Sequence, residues 1–182
     1  MPNCRETSPY TDEECEQNYM KRVKANDPLA IFKMGLKRQE EGDIGGAIQY
    51  WTKAAKLGGI EAHQNLSLMY IEGLGVEKDM KKAIYHMEEA AIGGHPIARF
   101  NLGNHEWERG RDERAMKHYI IAAKLGLGPA LDQIKDGFKE GSVSKEEYEA
   151  ALRGYQAAVD ETKSQQRDAA EVHFKERRLS TN

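Results

Sequence analysis

The feature that most constrains this chain is an Ala-Ala pair followed three residues later by Gly, which recurs in one phase. It stands at Ala54-Ala55-x-x-Gly58, Ala90-Ala91-x-x-Gly94 and Ala122-Ala123-x-x-Gly126, at steps of 36 and 32 residues. A second marker, Ala30, Ala62, Ala98 and Ala130, keeps the same rhythm, and each has an apolar residue four later: Met34, Leu66, Leu102 and Ile134. A third, Ala47, Ala83 and Ala115, falls seven before each pair and is followed four on by Trp51, Met87 and Tyr119. Self-similarity at a period of about 20–50 residues marks a stack of supersecondary units rather than one globular core.

Within each unit the apolar residues fall at i, i+4 and i+7 or i+8, the spacing of an amphipathic helix. Two such patterns per unit predict first helices at about 28–41, 60–72, 95–109 and 128–140, and second helices at about 44–57, 80–92, 112–125 and from 145 onwards. Gly42, Gly73 and Gly110 fall between the helices of a unit; Gly58, Gly94 and Gly126 follow the second helix. Glycine there accepts the left-handed backbone that closes a helix. Asp27 (ahead of Pro28), Asp43 and Asp79 are read as N-caps. The longer 36-residue step comes from an insertion, Gly73-Leu74-Gly75-Val76-Glu77-Lys78, in one inter-helix loop. Alanine pairs let neighbouring helices approach while Trp51, Met87 and Tyr119 fill the space beside them. Helices of this length are marginal alone, so stability has to be shared along the array.

These residues resemble the Sel-one-like repeat family, a relative of the tetratricopeptide repeat, over roughly residues 27–160. Ala62-x-x-x-Leu66-Ser67-x-x-Tyr70, Ala98-x-x-x-Leu102-Gly103 and Gly73-x-Gly75-Val76-x-x-Asp79-x-x-Lys82-Ala83 carry the likeness. Glu106 and Arg38 replace the family's tyrosine in two repeats, and a fourth repeat at about 128–158 is degenerate, as a terminal cap would be. The resemblance implies an all-α, right-handed α-solenoid of helix–turn–helix repeats, used as an adaptor surface and without catalytic residues. The expected organisation is a flexible N-terminus (1–10), a capping helix (11–26), repeats at about 27–59, 60–94, 95–127 and 128–160, and a charged helix or tail (161–182).

The two ends carry capping boxes, Thr11-Asp12-Glu13-Glu14 and Ser144-Lys145-Glu146-Glu147. The first predicts a helix at about 12–25, with Cys15, Tyr19 and Val23 covering the open end of the first repeat. The second starts a helix reaching at least about 162. Val172, Phe174 and Leu179 are the few apolar anchors of the last stretch, which reads as a protruding solvated helix or a disordered tail. Pro2-Asn3-Cys4-Arg5 resembles the end of a RING-type zinc finger. That likeness implies a finger that was lost or a start at an internal Met, and a ubiquitin-ligase component whose repeats recruit substrate. Cys4 and Cys15 cannot fill even one four-ligand zinc site, so no metal or other cofactor is expected.

The formal net charge of -3 gives no field to draw nucleic acid or an anionic membrane, and no apolar run approaches the roughly 20 residues that span a bilayer. Two cysteines and no secretory signal point to the cytosol or nucleus. No His-Glu-x-x-His, Gly-x-Ser-x-Gly or phosphate-cradling loop is present, and His86 and His118 share one repeat position, so the chain is not expected to be an enzyme. The expected function is a monomeric scaffold that binds a protein or peptide. Its surface is placed on the first-helix positions two, six and nine after the marker alanine, turned away from the core at about 100° per residue. Those residues are Phe32, Leu36 and Gln39; Gln64, Leu68 and Ile71; Phe100, Asn104 and Trp107; and Asp132, Asp136 and Lys139, where the strip turns acidic. They are expected to line the concave face for a peptide or partner helix, unless the protein's own terminal helices cover them. Self-association of solenoids end to end is the remaining reading.

Overall fold

The computed structural model describes residues 12–180, with side chains for residue 17 and residues 19–166. All its regular structure is helical: α1 (Asp12–Lys24), α2 (Pro28–Glu40), α3 (Ile44–Lys56), α4 (Ile60–Glu72), α5 (Met80–Ile92), α6 (Pro96–Glu108), α7 (Asp112–Lys124), α8 (Gly128–Lys139) and α9 (Lys145–Ser180). Every expected helix of residues 28–140 is present, with bounds within about a residue of those expected. Thr11 and Cys4 lie outside the described residues, as do the side chains of Cys15, Val172, Phe174 and Leu179.

The chain divides into two compact units, Met1–Gly93 and Gly94–Asn182. In the first, α2 pairs with α3 and α4 with α5 as antiparallel hairpins, and α3 also packs on α4. The marker alanines explain the closeness: Ala30, Ala47, Ala54 and Ala62 are fully or almost fully buried around Trp51, Ile31 and Leu66. Opposite the Trp51 ring stands Gly35, where a Cβ would overlap the indole. The indole Nε1–H donates to the Phe32 carbonyl at 3.2 Å. α1 packs on α2: Val23 is buried, Tyr19 packs on the same core, and its hydroxyl donates to the Ala30 carbonyl at 2.6 Å.

In the second unit α6 pairs with α7, and α8 and α9 both pack on α7. Its core is Ala115, Met116, Tyr119, the Ala122–Ala123 pair, Ala130, Ile134, Val143 and Ala151. Gly103 faces Tyr119 as Gly35 faces Trp51. α8 also packs on α9, which continues to Ser180. Its residues 160–166 are all exposed.

The caps follow their chemistry. Asp27 accepts from the amides of Leu29 and Ala30, Asp43 from Gly46 and Asp79 from Lys82. Ser144 and Glu147 cap each other's backbone amides at 3.2 and 3.0 Å, a complete capping box. Gly58, Gly94 and Gly126 have φ of 82°, 90° and 88° after the second helices, and Asn26 takes the same left-handed backbone (φ 58°) after α1. Asn tolerates that region best after Gly, so the join before the first repeat follows the rule of the later ones. One expectation changes: His95 is not inside a first helix but is the N-cap of α6, its Nδ1 accepting from the Ala98 amide at 3.3 Å.

Candidate functional site

The surface expected from the sequence falls on α2 and α4 in the first unit and on α6 and α8 in the second. It is less open than helix arithmetic alone implies. Phe32 and Leu36 are half-buried and pack against the core of their unit. Leu68 and Ile71 are half-buried, while Gln64 is only 5% exposed and its Oε1 has no hydrogen-bond partner among the described residues. In the second unit Phe100 lays its ring 5.3 Å from that of Tyr119, and Asn104 accepts from the Tyr119 hydroxyl at 2.9 Å. Trp107 alone stands well out, 43% exposed. The reason is geometric. The second helix of the same hairpin packs along this face, so an offset near 200° from the marker alanine still grazes its large side chains, such as Trp51 and Tyr119.

Phe100, Asn104 and Trp107 succeed one another at i, i+4 and i+7, so they form one stripe along α6. The stripe is aromatic at both ends with a carboxamide between. Trp107 lies at the end of the last turn of α6, just before the chain turns at Gly110 (φ 67°).

Two polar clusters occupy equivalent positions elsewhere in the units. In the first, His63 is 7% exposed, and its Nδ1 is 3.0 Å from the Nδ1 of His86; its Nε2 lies 3.1 Å from the Ala55 carbonyl. A carbonyl only accepts, so Nε2 of His63 carries the proton and His86 donates from Nδ1 to Nδ1 of His63 in the neutral pair. Tyr70 stacks on His86 with 6° between the ring planes, and Lys82 lies over Tyr70. Burial pushes His86 down to about 4, with His63 acting in the same direction. In the second unit Glu106 stands where Tyr70 does, and is 8% exposed. It pairs with Arg111 at 3.1 Å and Arg114 at 3.4 Å. Burial, then Arg99, lowers the affinity of the neighbouring His118 for a proton, while Glu106 acts against them. The sequence marked Glu106 as a departure from its family; the two arginines that neutralise it were not singled out.

These clusters hold helices together. Among the described residues no three His, Cys, Asp or Glu side chains converge on a metal site. The His63–His86 pair has a testable consequence. A histidine held neutral in the fold takes up its proton more readily when unfolded, so stability is full above about 6.5 and declines as pH falls towards about 4. His86→Phe should flatten the fall in unfolding free energy between those pH values relative to the parent, by on the order of 1 kcal/mol because His86 is only half-buried. Parallel pH profiles for parent and variant would contradict the assignment.

Comparison with known proteins places this geometry. The family model described as Sel1 repeat matches residues 28–59, 60–95 and 96–127. Chitin synthase regulatory factor 4 of Schizosaccharomyces pombe is 34% identical over 86 residues, 47% of this chain. The match spans only 14% of that protein's length. A Sel1 repeat protein of Oxalobacter formigenes superposes with TM-score 0.61 at 28% identity, covering 68% of this chain and 98% of that one. A protective antigen of uropathogenic Escherichia coli with an SLR fold gives TM-score 0.62 at 25% identity over 80% of this chain and 33% of that one. An immunity protein of Pseudomonas aeruginosa, at 17% identity and TM-score 0.60 over 82% and 62%, shares the fold. The fold class is an all-α repeat solenoid. The RING-like segment at residues 2–5 lies outside the described residues.

Proposed function

Because this chain belongs to the Sel1 repeat family, whose members act as protein-interaction scaffolds, we propose that it is a non-catalytic scaffold that binds a peptide segment of a partner protein along its first helices. The observation that carries the reading is Trp107: a tryptophan 43% exposed, in line with Phe100 and Asn104 on one helix face. A tryptophan left open to water at the edge of a packed aromatic stripe is the kind of residue that dominates interface energies. In the first unit the corresponding contribution comes from Phe32, Leu36, Leu68 and Ile71, half-buried residues that offer apolar edges without unpaired charge. Gln64 supplies shape rather than contact, being buried.

The rest of the chain is consistent with this division of labour. The marker alanines and Trp51, Met87 and Tyr119 are committed to packing. The histidine and Glu106 clusters are committed to inter-helix bonds. Among the described residues no helix is long and apolar enough to cross a membrane. The test is hydrogen exchange on the full chain with ligands selected from a displayed library of random linear peptides. Protection concentrated on α6 in the second unit and on α2 and α4 in the first supports the reading. Protection on the outer faces of α5 and α7, around Tyr85 and Ile121, would contradict it.

A further inference from the structure

α9 is out of scale with the rest of the molecule. It has 36 residues, where the other described helices have 12 or 13. Its first turns are accounted for by packing on α7 and α8. Ala151 is fully buried, Gly154 lies beside Lys124, and Ala158 lies beside Gly126. From residue 160 the helix leaves the body of its unit, and residues 160–166 are all exposed. A helical segment of about 20 residues in water is marginal without a partner.

One face of α9 is shaped for such a partner. Glu149, Leu152, Gln156, Val159 and Lys163 follow at spacings of three, four, three and four, the alternation of a two-helix seam. Leu152 is 41% exposed and Val159 is half-buried. Beside them Tyr148 and Tyr155 extend the apolar surface towards α8, where Phe138 stacks on Tyr148 with ring centroids 5.2 Å apart. The charges along the seam say what fits it. Towards the C-terminus they run Glu149, Arg153, Asp160 and Lys163, in alternating sign and all exposed. Glu161 falls on the opposite side of the helix, at 100° per residue. Against a parallel second copy each of the four would meet its own like. Against an antiparallel second copy, turned about a two-fold axis at Gln156, Glu149 meets Lys163 and Arg153 meets Asp160, each pair twice. Leu152 then lies against Val159 of the other copy, and the two Gln156 carboxamides meet on the axis.

We propose that two copies of this chain associate side by side through α9, antiparallel about Gln156, with Leu152 and Val159 at the centre of the contact. The two turns that follow residue 159 in one copy lie along residues 145–152 of the other. Each copy therefore supplies the neighbour that the other's helix lacks beyond its own unit. The contact is self-complementary, as a closed pair requires. It differs from both the monomer and the end-to-end stacking expected from the sequence, and it is independent of the peptide surface on the first helices.

The test is sedimentation equilibrium of the full chain over a range of concentrations. The parent should pass from the mass of one chain to that of two, with a dissociation constant on the order of 10 µM for a small, partly polar interface. Glu149→Lys sets lysine against Lys163 at two symmetry-related places. It should weaken the pair about 10-fold or more, with the circular dichroism of the chain unchanged. Adding Lys163→Glu should restore the parent's affinity. Positions 149 and 163 are about 21 Å apart along one helix, so that rescue arises only between copies. A parent that keeps the mass of one chain to about 200 µM would overturn the proposal. So would a pair indifferent to Glu149→Lys, or one that the second reversal fails to restore.

Discussion

Trp51→Ala should destabilise the first unit by about 3–5 kcal/mol, the range for truncating a fully buried tryptophan. The side chain is 0% exposed and packs against a first-helix glycine on one side and Phe32 on another. Its loss also removes the indole hydrogen bond to the Phe32 carbonyl. α2 and α3 are 13 residues each, too short to persist without this contact. The checking measurement is amide exchange of α2 and α3 in native conditions, which reports each hairpin without assuming that the whole chain unfolds in one step. Protection there should fall by orders of magnitude. A loss under about 1 kcal/mol would show that the hairpin does not depend on Trp51.

Gly103→Ala should cost the second unit about 1–3 kcal/mol by overpacking. A Cβ at that position would stand 2.5 Å from Cε1 and 2.7 Å from Cδ1 of Tyr119. The ring cannot retreat freely, since Phe100 packs on it and its hydroxyl is tied to Asn104. The second repeat suggests the compensation: there Ser67 holds the glycine position and Met87 the tyrosine position. Tyr119→Met combined with Gly103→Ala should recover part of the loss, a non-additivity that chemical denaturation of the four proteins would measure. Strict additivity would place the strain elsewhere.

These two sites also show how far the sequence could be read. The alanine markers gave the helices and their bounds because small residues at a fixed phase leave few alternatives for packing, and every one of them is buried. The aspartate caps were legible because a carboxylate ahead of a helix has one favourable use. The pairing of Gly35 with Trp51 and Gly103 with Tyr119 was present in the sequence as a small residue (Gly35, Ser67, Gly103) five after the first three marker alanines. Its meaning needed the neighbouring helix. The stripe was legible in position and less so in exposure: period and phase orient a side chain relative to its own helix, and burial of Gln64 or Phe100 depends on what the next helices bring. The His63–His86 bond and the arginines on Glu106 were harder still, because both join residues from different helices through groups whose spacing in the chain carries no period. The N-cap role of His95 was hidden by its place next to Pro96, where a helical pattern had already begun.

The most direct test of the central claim is the affinity of a selected peptide ligand for the parent chain and for Trp107→Ala, with melting temperature measured alongside. Trp107 is exposed and outside both cores, so its removal should leave stability within about 0.5 kcal/mol. The account predicts a loss of affinity of about 30-fold or more, the effect of removing a tryptophan anchor from an interface. Equal affinity of the two proteins would contradict it, and would move the binding surface off α6.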